Sequence, residues 1–464
     1  MSVRMFKESA TWAGGSGSRR RTNEDSPCRP VDLPGLKGES MKYATRTVLI
    51  AVGLAMLPAQ ALAGSASVSE DRVPEAVVSQ DAAFQEIEAL KALASASTPE
   101  EAEEPDAQEE APVPPDAPST CSVNGAFEAC VEVGPATPSA TEALNNRVSP
   151  QAGIKPPAWC AKSNGKLLAV RTKACIAYPI SYKTYQIVNG QRRLTGEAFG
   201  NVYSFGYSDT SVPTWGQQVE VGMYSGWGDA INGSVKGSST GKGKCTKTEA
   251  SFPKKPLLPL NSWRLGESFY RSTATAAGAV GTCGTTWMLT FSSPGYDDAL
   301  LPQVDRVFRC DNNTGGRTEA GCVVPEYAAE LKYKQASYPA LASHVSRAQA
   351  SGLPGATFKK PLIRTTDPTT IRDNRDLACG DAPSVPDKSC DEYPVATSRQ
   401  GLSAGGTRRT FDDCSLNFPR QTGRSGASVC MITASENRAQ GGLNTQFYRA
   451  NRVLDGDPFR VTTP

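Results

Sequence analysis

One histidine, His344, is all the imidazole that 464 residues provide. No two cysteines stand as Cys-x-x-Cys, so a zinc centre built from paired thiolates and imidazoles has no ligand set. No apolar run is long enough for a membrane-spanning helix. A dominant charge is also missing, because 49 Lys and Arg against 47 Asp and Glu leave only +2. That balance hides segregation: acids crowd the chain before residue 120, and bases follow later.

What the chain does have begins with "MKYATRTVLIAVGLAMLPAQALAG". Lys42 and Arg46 precede an apolar run from Val48 to Leu57, and Ala61-Leu62-Ala63 supplies the small residues of a signal-peptidase site. This predicts a signal peptide over 41–63, cleavage at Ala63, and a secreted chain with no stable membrane anchor. Residues 1–40 then read as an extended leader or a mis-assigned start. Of 13 cysteines, Cys28 precedes the signal, which leaves an even set suited to disulfides in an oxidising compartment. Their spacing suggests pairing of sequence neighbours, from Cys121 with Cys130 to Cys414 with Cys430, although spacing does not fix connectivity. Residues 64–120 contain "TPEEAEEPDAQEEAPVPPDAP", with eight acids and no base, and read as a disordered acidic linker, preceded by "DAAFQEIEALKALASAS" with helical apolar spacing.

From 121 to 330 the pattern changes to short strands between glycine-rich turns, as in "NVYSFGYSD", "QQVEVGMYSGWG" and "TWMLTFSS". A disulfide-stapled antiparallel sandwich or barrel is expected, with Trp215, Trp227, Trp263 and Trp287 in its core or rim. Exposed aromatics in such a domain could bind a glycan or stack on bases, and no catalytic constellation stands out.

From 331 to 464, 18 Lys and Arg face 12 Asp and Glu. Arg399, Arg408, Arg409, Arg420, Arg424, Arg438, Arg449 and Arg452 give this part a basic character that favours a polyanion. "DEYPVATS" reads as one strand and "ASVCMITA" as a second. "SENRAQGG" then reads as a loop in which Gly441-Gly442 permits a reversal, and "GGLNTQFYRANRVL" as a helix packed through Leu443, Phe447, Ala450 and Leu454. Phosphodiester cleavage needs a cation against the growing phosphate charge, a base for water and a cationic clamp. Asp391 and Glu392 offer hard oxygens or a base, Asn437 and Gln446 amide oxygens, and Arg438 a phosphate partner. Mg²⁺ or Mn²⁺ suits such ligands better than zinc.

"CDEYPVA", "ASVCMITASENRAQGG" and "FYRANRVLDGDPF", in that order, resemble the NucA/NucB family of secreted deoxyribonucleases over roughly residues 335–464, with "SHVSRAQ" similar to an upstream helix of that family. The resemblance implies an α+β nuclease domain with a ββα-metal-type site, which cuts extracellular DNA with little sequence preference. It matches Asp391 and Glu392 to the family's acidic pair, and Glu436, Asn437 and Arg438 to its loop motif. Gln446 falls where the helix presents a metal ligand. Arg399, Arg438 and Arg449 are the expected DNA contacts. Cys379, Cys390, Cys414 and Cys430 bracket the site, and a Cys379–Cys390 bridge would anchor the strand carrying Asp391. Tyr393 replaces the family's tryptophan, and "RAQGG" its tighter Arg-Gly-Ala-Gly; neither change removes a reactive group.

His344 reads as a structural, hydrogen-bonded residue on an apolar helix rather than a base. One rival reading is a non-catalytic binding or adhesion protein working through its β-rich middle. Another, a glycan hydrolase with two carboxylates, fits poorly because adjacent strand residues point to opposite faces.

Overall fold

The computed structural model describes residues 80–95, 120–134, 137–145, 153–163, 165–304 and 307–464, all within one compact unit, Pro74–Pro464. The leader, the signal segment with Ala63, and residues 96–119 of the expected linker lie outside the described residues. The linker reading needs correction where it is described, because helix α1 (Gln80–Ser95) is folded there. Ile87, Leu90 and Ala94 recur on one helical face and are buried in a cluster with Tyr207, Trp215 and Phe269. Arg271 Nε donates to Glu86 at 3.0 Å, and Lys91 Nζ lies 3.4 Å from Glu267. Burying that stripe offsets the entropy of ordering the helix.

The middle of the chain is two antiparallel sheets, as the alternation predicts. Strands β1 (Lys173–Val188), β2 (Gln191–Tyr207), β3 (Thr214–Trp227) and β4 (Trp263–Ser272) are consecutive in an eight-stranded sheet. Strand β5 (Val280–Ser292) lies inside a six-stranded one. Val219, Val221 and Met223 of β3 share a core with Trp287, Leu289 and Phe291 of β5. The alternate residues of β3, among them Gln218, Glu220 and Gly222, take the other face, where helix α2 (Pro138–Asn145) approaches and Ala140 O accepts from Asn201 Nδ2 at 3.0 Å. Trp215 and Trp287 are fully buried; Trp227 is exposed and Trp263 half-buried at the rim.

The carboxy-terminal part has a separate core. Helices α3 (Pro339–Ala350) and α4 (Pro368–Cys379) precede strand β6 (Lys388–Tyr393). Strand β7 (Ala427–Thr433) pairs with β6 antiparallel and runs directly into helix α5 (Ala434–Ala450), before strand β8 (Pro458–Thr462). The first strand ends at Tyr393, short of the "DEYPVATS" expectation, because Pro394 has no N–H for the ladder. The helix begins at Ala434, so "SENRAQGG" is its first turns and not a loop, and Leu454 lies beyond its end. Gly441 and Gly442 sit inside it without positive φ.

Among the described residues, six disulfides join sequence neighbours: Cys121–Cys130, Cys160–Cys175, Cys245–Cys283, Cys310–Cys322, Cys379–Cys390 and Cys414–Cys430. Among the described residues, no helix is long and apolar enough to cross a membrane.

A buried ionic seam joins the two parts. Arg171 Nη2 lies 2.8 Å from Asp457 Oδ2, and Arg309 pairs with the other oxygen of Asp457. Arg452, fully buried, donates to Asp311 Oδ1 at 3.2 Å and to Thr210 O at 2.6 Å. Arg409 is equally buried and bonds the carbonyls of Ser351, Gly423 and Ser425. Two of the arginines read as basic surface are therefore structural.

Candidate functional site

Adjacent residues on β6 face opposite ways, and this separates the two acids. Asp391 lies opposite Cys430 and Glu392 opposite Val429 in the β6–β7 ladder. Asp391 is fully buried on the face covered by α3 and α5. Its Oδ2 lies 2.6 Å from His344 Nδ1, and His344 Nε2 lies 2.9 Å from Ser428 Oγ. With Nδ1–H donating to the carboxylate and Nε2 accepting the Ser428 hydroxyl, both ring nitrogens of His344 have partners. The order Ser-His-Asp is that of a hydrolytic triad, yet all three side chains are fully buried, so Ser428 is not open to a substrate. His344 is therefore buried and hydrogen-bonded, as expected from the sequence, and what it holds is Asp391.

The second oxygen of this carboxylate, Asp391 Oδ1, is buried with no hydrogen-bond partner. Helix α5 presents polar side chains to the same side at positions 437, 440 and 444, a helical i, i+3, i+7 row. Asn437 Nδ2 donates to Ser389 Oγ at 2.9 Å and to Cys390 O at 2.7 Å, which fixes the plane of its amide. Gln440 Nε2 is buried without a partner. Asn444 Oδ1 accepts from Tyr333 at 2.6 Å; burial, with the charges of Tyr448 and Asp391, holds that phenol well above its ordinary pKa. Glu436 accepts the backbone N–H of Leu341 at 2.9 Å and so caps the first turn of α3.

Glu392 does not join this group. It is half-buried on the other face, beside the Cys379–Cys390 bridge that ties α4 to β6. Burial and the charge of Asp391 push its carboxyl up to about 8, against the opposing pull of Arg375.

Gln446 also falls elsewhere, because a helix starting at Ala434 turns position 446 to solvent. The residue facing the strand is Gln440, six positions earlier. Arg438 and Arg449 are exposed. Arg449 borders a cleft of about 620 Å³ with Gln446, Gly441 and Gly442, closed on its far side by Gly316 and Arg317 of the β-rich part. Its Nε donates to Gly315 O at 3.1 Å. Arg399 lies apart, paired with Asp455 at 2.9 Å.

Among the described residues, only Cys121, Glu128 and Cys130 form a cluster of three metal-ligating types, and both cysteines are spent in a disulfide. The row 437, 440, 444 was open to sequence reading; taking Gly441-Gly442 for a turn concealed it.

Residues 372–462 match the family described as Deoxyribonuclease NucA/NucB, which supports the resemblance carried by the Asp-Glu-Tyr-Pro and Glu-Asn-Arg motifs. No curated protein matches the chain. Among solved structures, a glycosyl hydrolase family 2 member from Bacteroides cellulosilyticus is 7% identical with a TM-score of 0.11. The match covers 39% of this chain and 28% of that one, a likeness too slight to bear on fold or function.

Proposed function

We propose that the carboxy-terminal region is a secreted, Mg²⁺- or Mn²⁺-dependent endonuclease that hydrolyses DNA phosphodiesters with little base preference. The observation that carries this reading is the half-satisfied carboxylate of Asp391, with Oδ2 held by His344 and Oδ1 buried and unpartnered beside the amide row of α5. A buried acceptor without a partner is costly, and a cation or an ordered water removes that cost.

The donor set fits a hard cation. Asp391 Oδ1 and the amide oxygens of Asn437 and Gln440 would hold it, leaving other positions to water and phosphate oxygens, as Mg²⁺ prefers. Amide nitrogen and oxygen exchange places on a half-turn of the side chain, so the unpartnered end of Gln440 can present oxygen instead. When bound, the ion supplies charge neutralisation at the phosphate.

The chain's own residues do the rest. Asp391 would hold the cation through Oδ1, while His344 fixes the carboxylate and stabilises its charge through Nδ1–H. Arg438 and Arg449 on the outer side of α5 pair with backbone phosphates, and Arg317 extends the cation row across the cleft. Gly441 and Gly442 lack neighbours where a Cβ would stand, so a phosphate chain can approach the helix backbone closely there. Six disulfides suit an extracellular setting.

The test is plasmid nicking by the disulfide-intact protein with Mn²⁺ or Mg²⁺, with and without EDTA. Metal-dependent conversion of supercoiled to open-circular DNA is expected. Absence of nicking with either metal would refute the assignment.

A further inference from the structure

We propose that the β-rich middle part forms one wall of the DNA groove, through the turn between Cys310 and Cys322, and that Gly316 in this turn positions Arg449 against the phosphate backbone. The proposal rests on the nuclease reading and gives a substrate-binding role to a segment outside the residues that match the family.

The opposite wall is a stripe on α5. Arg438, Gly442, Thr445 and Arg449 recur at i, i+4, i+7 and i+11, and all four are exposed. At about 1.5 Å per residue, Arg438 and Arg449 stand about 16 Å apart along the axis, the length of about five nucleotides of one strand.

The turn holds Arg449 by close contact. Arg449 Nε donates to Gly315 O at 3.1 Å. Gly316 has a φ of +79°, and a methyl group built there would run into Nε, Cζ and Nη2 of Arg449, so the guanidinium lies directly on the Gly316 backbone. The turn is itself fixed to the helix. Arg452, just past the end of α5, donates from Nη1 to Asp311 O at 2.8 Å and from Nη2 to Glu319 O at 2.6 Å, which pins both sides of the turn. Asp311 Oδ1 accepts from Thr314 Oγ1 at 2.7 Å inside it, and the Cys310–Cys322 bridge closes it. Arg317 is half-buried, with Nη2 donating to Thr210 O at 2.8 Å and Nε 3.0 Å from Glu319 Oε1, which offsets part of its charge. One buried arginine thus makes turn and helix a single body, and little ordering is left to do when DNA enters.

The lining decides what is gripped. Two guanidinium groups, three glycines, Thr445, Gln446 and Ala450 border the cleft, and none of these is aromatic. Unpaired bases are held by stacking platforms, whereas charge and open backbone suit phosphates. The grip is therefore independent of sequence.

The test measures binding of two short labelled duplexes of unlike sequence by the full-length, disulfide-intact protein in EDTA, by fluorescence anisotropy across a salt series. Gly316→Ala, which removes no charge, is expected to weaken both duplexes alike, about five- to tenfold near 0.1 M salt, and to lower the salt slope by about 1. Added to Arg449→Ala it should weaken binding no further, because both changes remove the same contact. Arg317→Ala should also weaken both duplexes, whereas Arg193→Ala, at an exposed position at the far end of β2, should leave binding unchanged. In Mn²⁺ kinetics the loss in Gly316→Ala should fall on KM more than on kcat. Absence of duplex binding by wild type, unchanged affinity in folded Gly316→Ala and Arg317→Ala, full additivity of Gly316→Ala with Arg449→Ala, or an equal loss in Arg193→Ala would overturn the proposal. Should Gly316→Ala fail to fold, Arg317→Ala decides. Failure of wild type to nick plasmid would sink the nuclease reading and this proposal with it, while the binding outcomes sink the proposal alone.

Discussion

His344 Nδ1 lies 2.6 Å from Asp391 Oδ2, with both side chains fully buried. The bond holds one oxygen of the carboxylate and leaves the other buried without a partner. His344 is thus a positioning residue. His344→Ala should lower kcat about 10- to 100-fold, as loss of an orienting partner does. It should also cost roughly 1.5–3 kcal/mol of stability through the lost charge-assisted hydrogen bond. His344→Asn, whose amide N–H can take the place of Nδ1–H, should recover part of kcat. A merely structural histidine would show the stability loss without that partial rescue in kcat.

Gly441 and Gly442 present an opposite trade. Both lie in α5 without positive φ, and a Cβ on either meets nothing within 4 Å. Gly441→Ala should therefore raise stability by about 0.5–1 kcal/mol. If phosphates approach the helix at this point, the same change raises KM for DNA. Thermal unfolding and nicking kinetics on one preparation read both effects.

Salt dependence separates the arginines. Arg438→Ala and Arg449→Ala should each weaken DNA binding and reduce the slope of log K against log salt by about 1. Arg399→Ala, whose guanidinium is paired with Asp455 away from α5, should leave that slope unchanged. Fluorescence anisotropy with a short duplex in EDTA measures the slope without cleavage.

Glu392 predicts a pH signature. Its folded carboxyl is pushed up to about 8, above the ordinary carboxylate range, so between roughly pH 5 and 8 the folded protein holds a proton that the unfolded chain has released. Stability contributed by the protonated carboxyl is present at low pH and is lost as pH rises through that window. In EDTA, the melting temperature should fall across the window, and Glu392→Gln should flatten the fall. A variant with the wild-type slope would contradict the placement of Glu392 in a half-buried position beside the charge of Asp391.

Local rules carried much of the fold. The strand-like run "QQVEVGMYSGWG" lies in β3, and cysteine order suggested the neighbour pairing that the bridges show. The Asp-Glu-Tyr-Pro and Glu-Asn-Arg motifs fall in the region that matches the nuclease family. Their geometry was less accessible. A glycine pair inside a helix looks like a turn by propensity, and that shift put Gln446, which is exposed, where Gln440 is the buried amide. The burial of Arg409 and Arg452 was not legible at all, because their partners are carbonyls and carboxylates distant in sequence, such as Thr210 and Asp311. The docking of α1 was half legible: its stripe could be seen, but not the sheet that receives it.

The most direct measurement is single-turnover cleavage of a labelled duplex by wild type and by Asp391→Asn, at saturating Mn²⁺ and with folding verified by thermal melting. The account predicts that Asp391→Asn stays folded, binds DNA in EDTA like wild type, and loses about 10²-fold in cleavage rate, the scale of a weakened metal site. Cleavage at the wild-type rate by a folded Asp391→Asn would contradict the account.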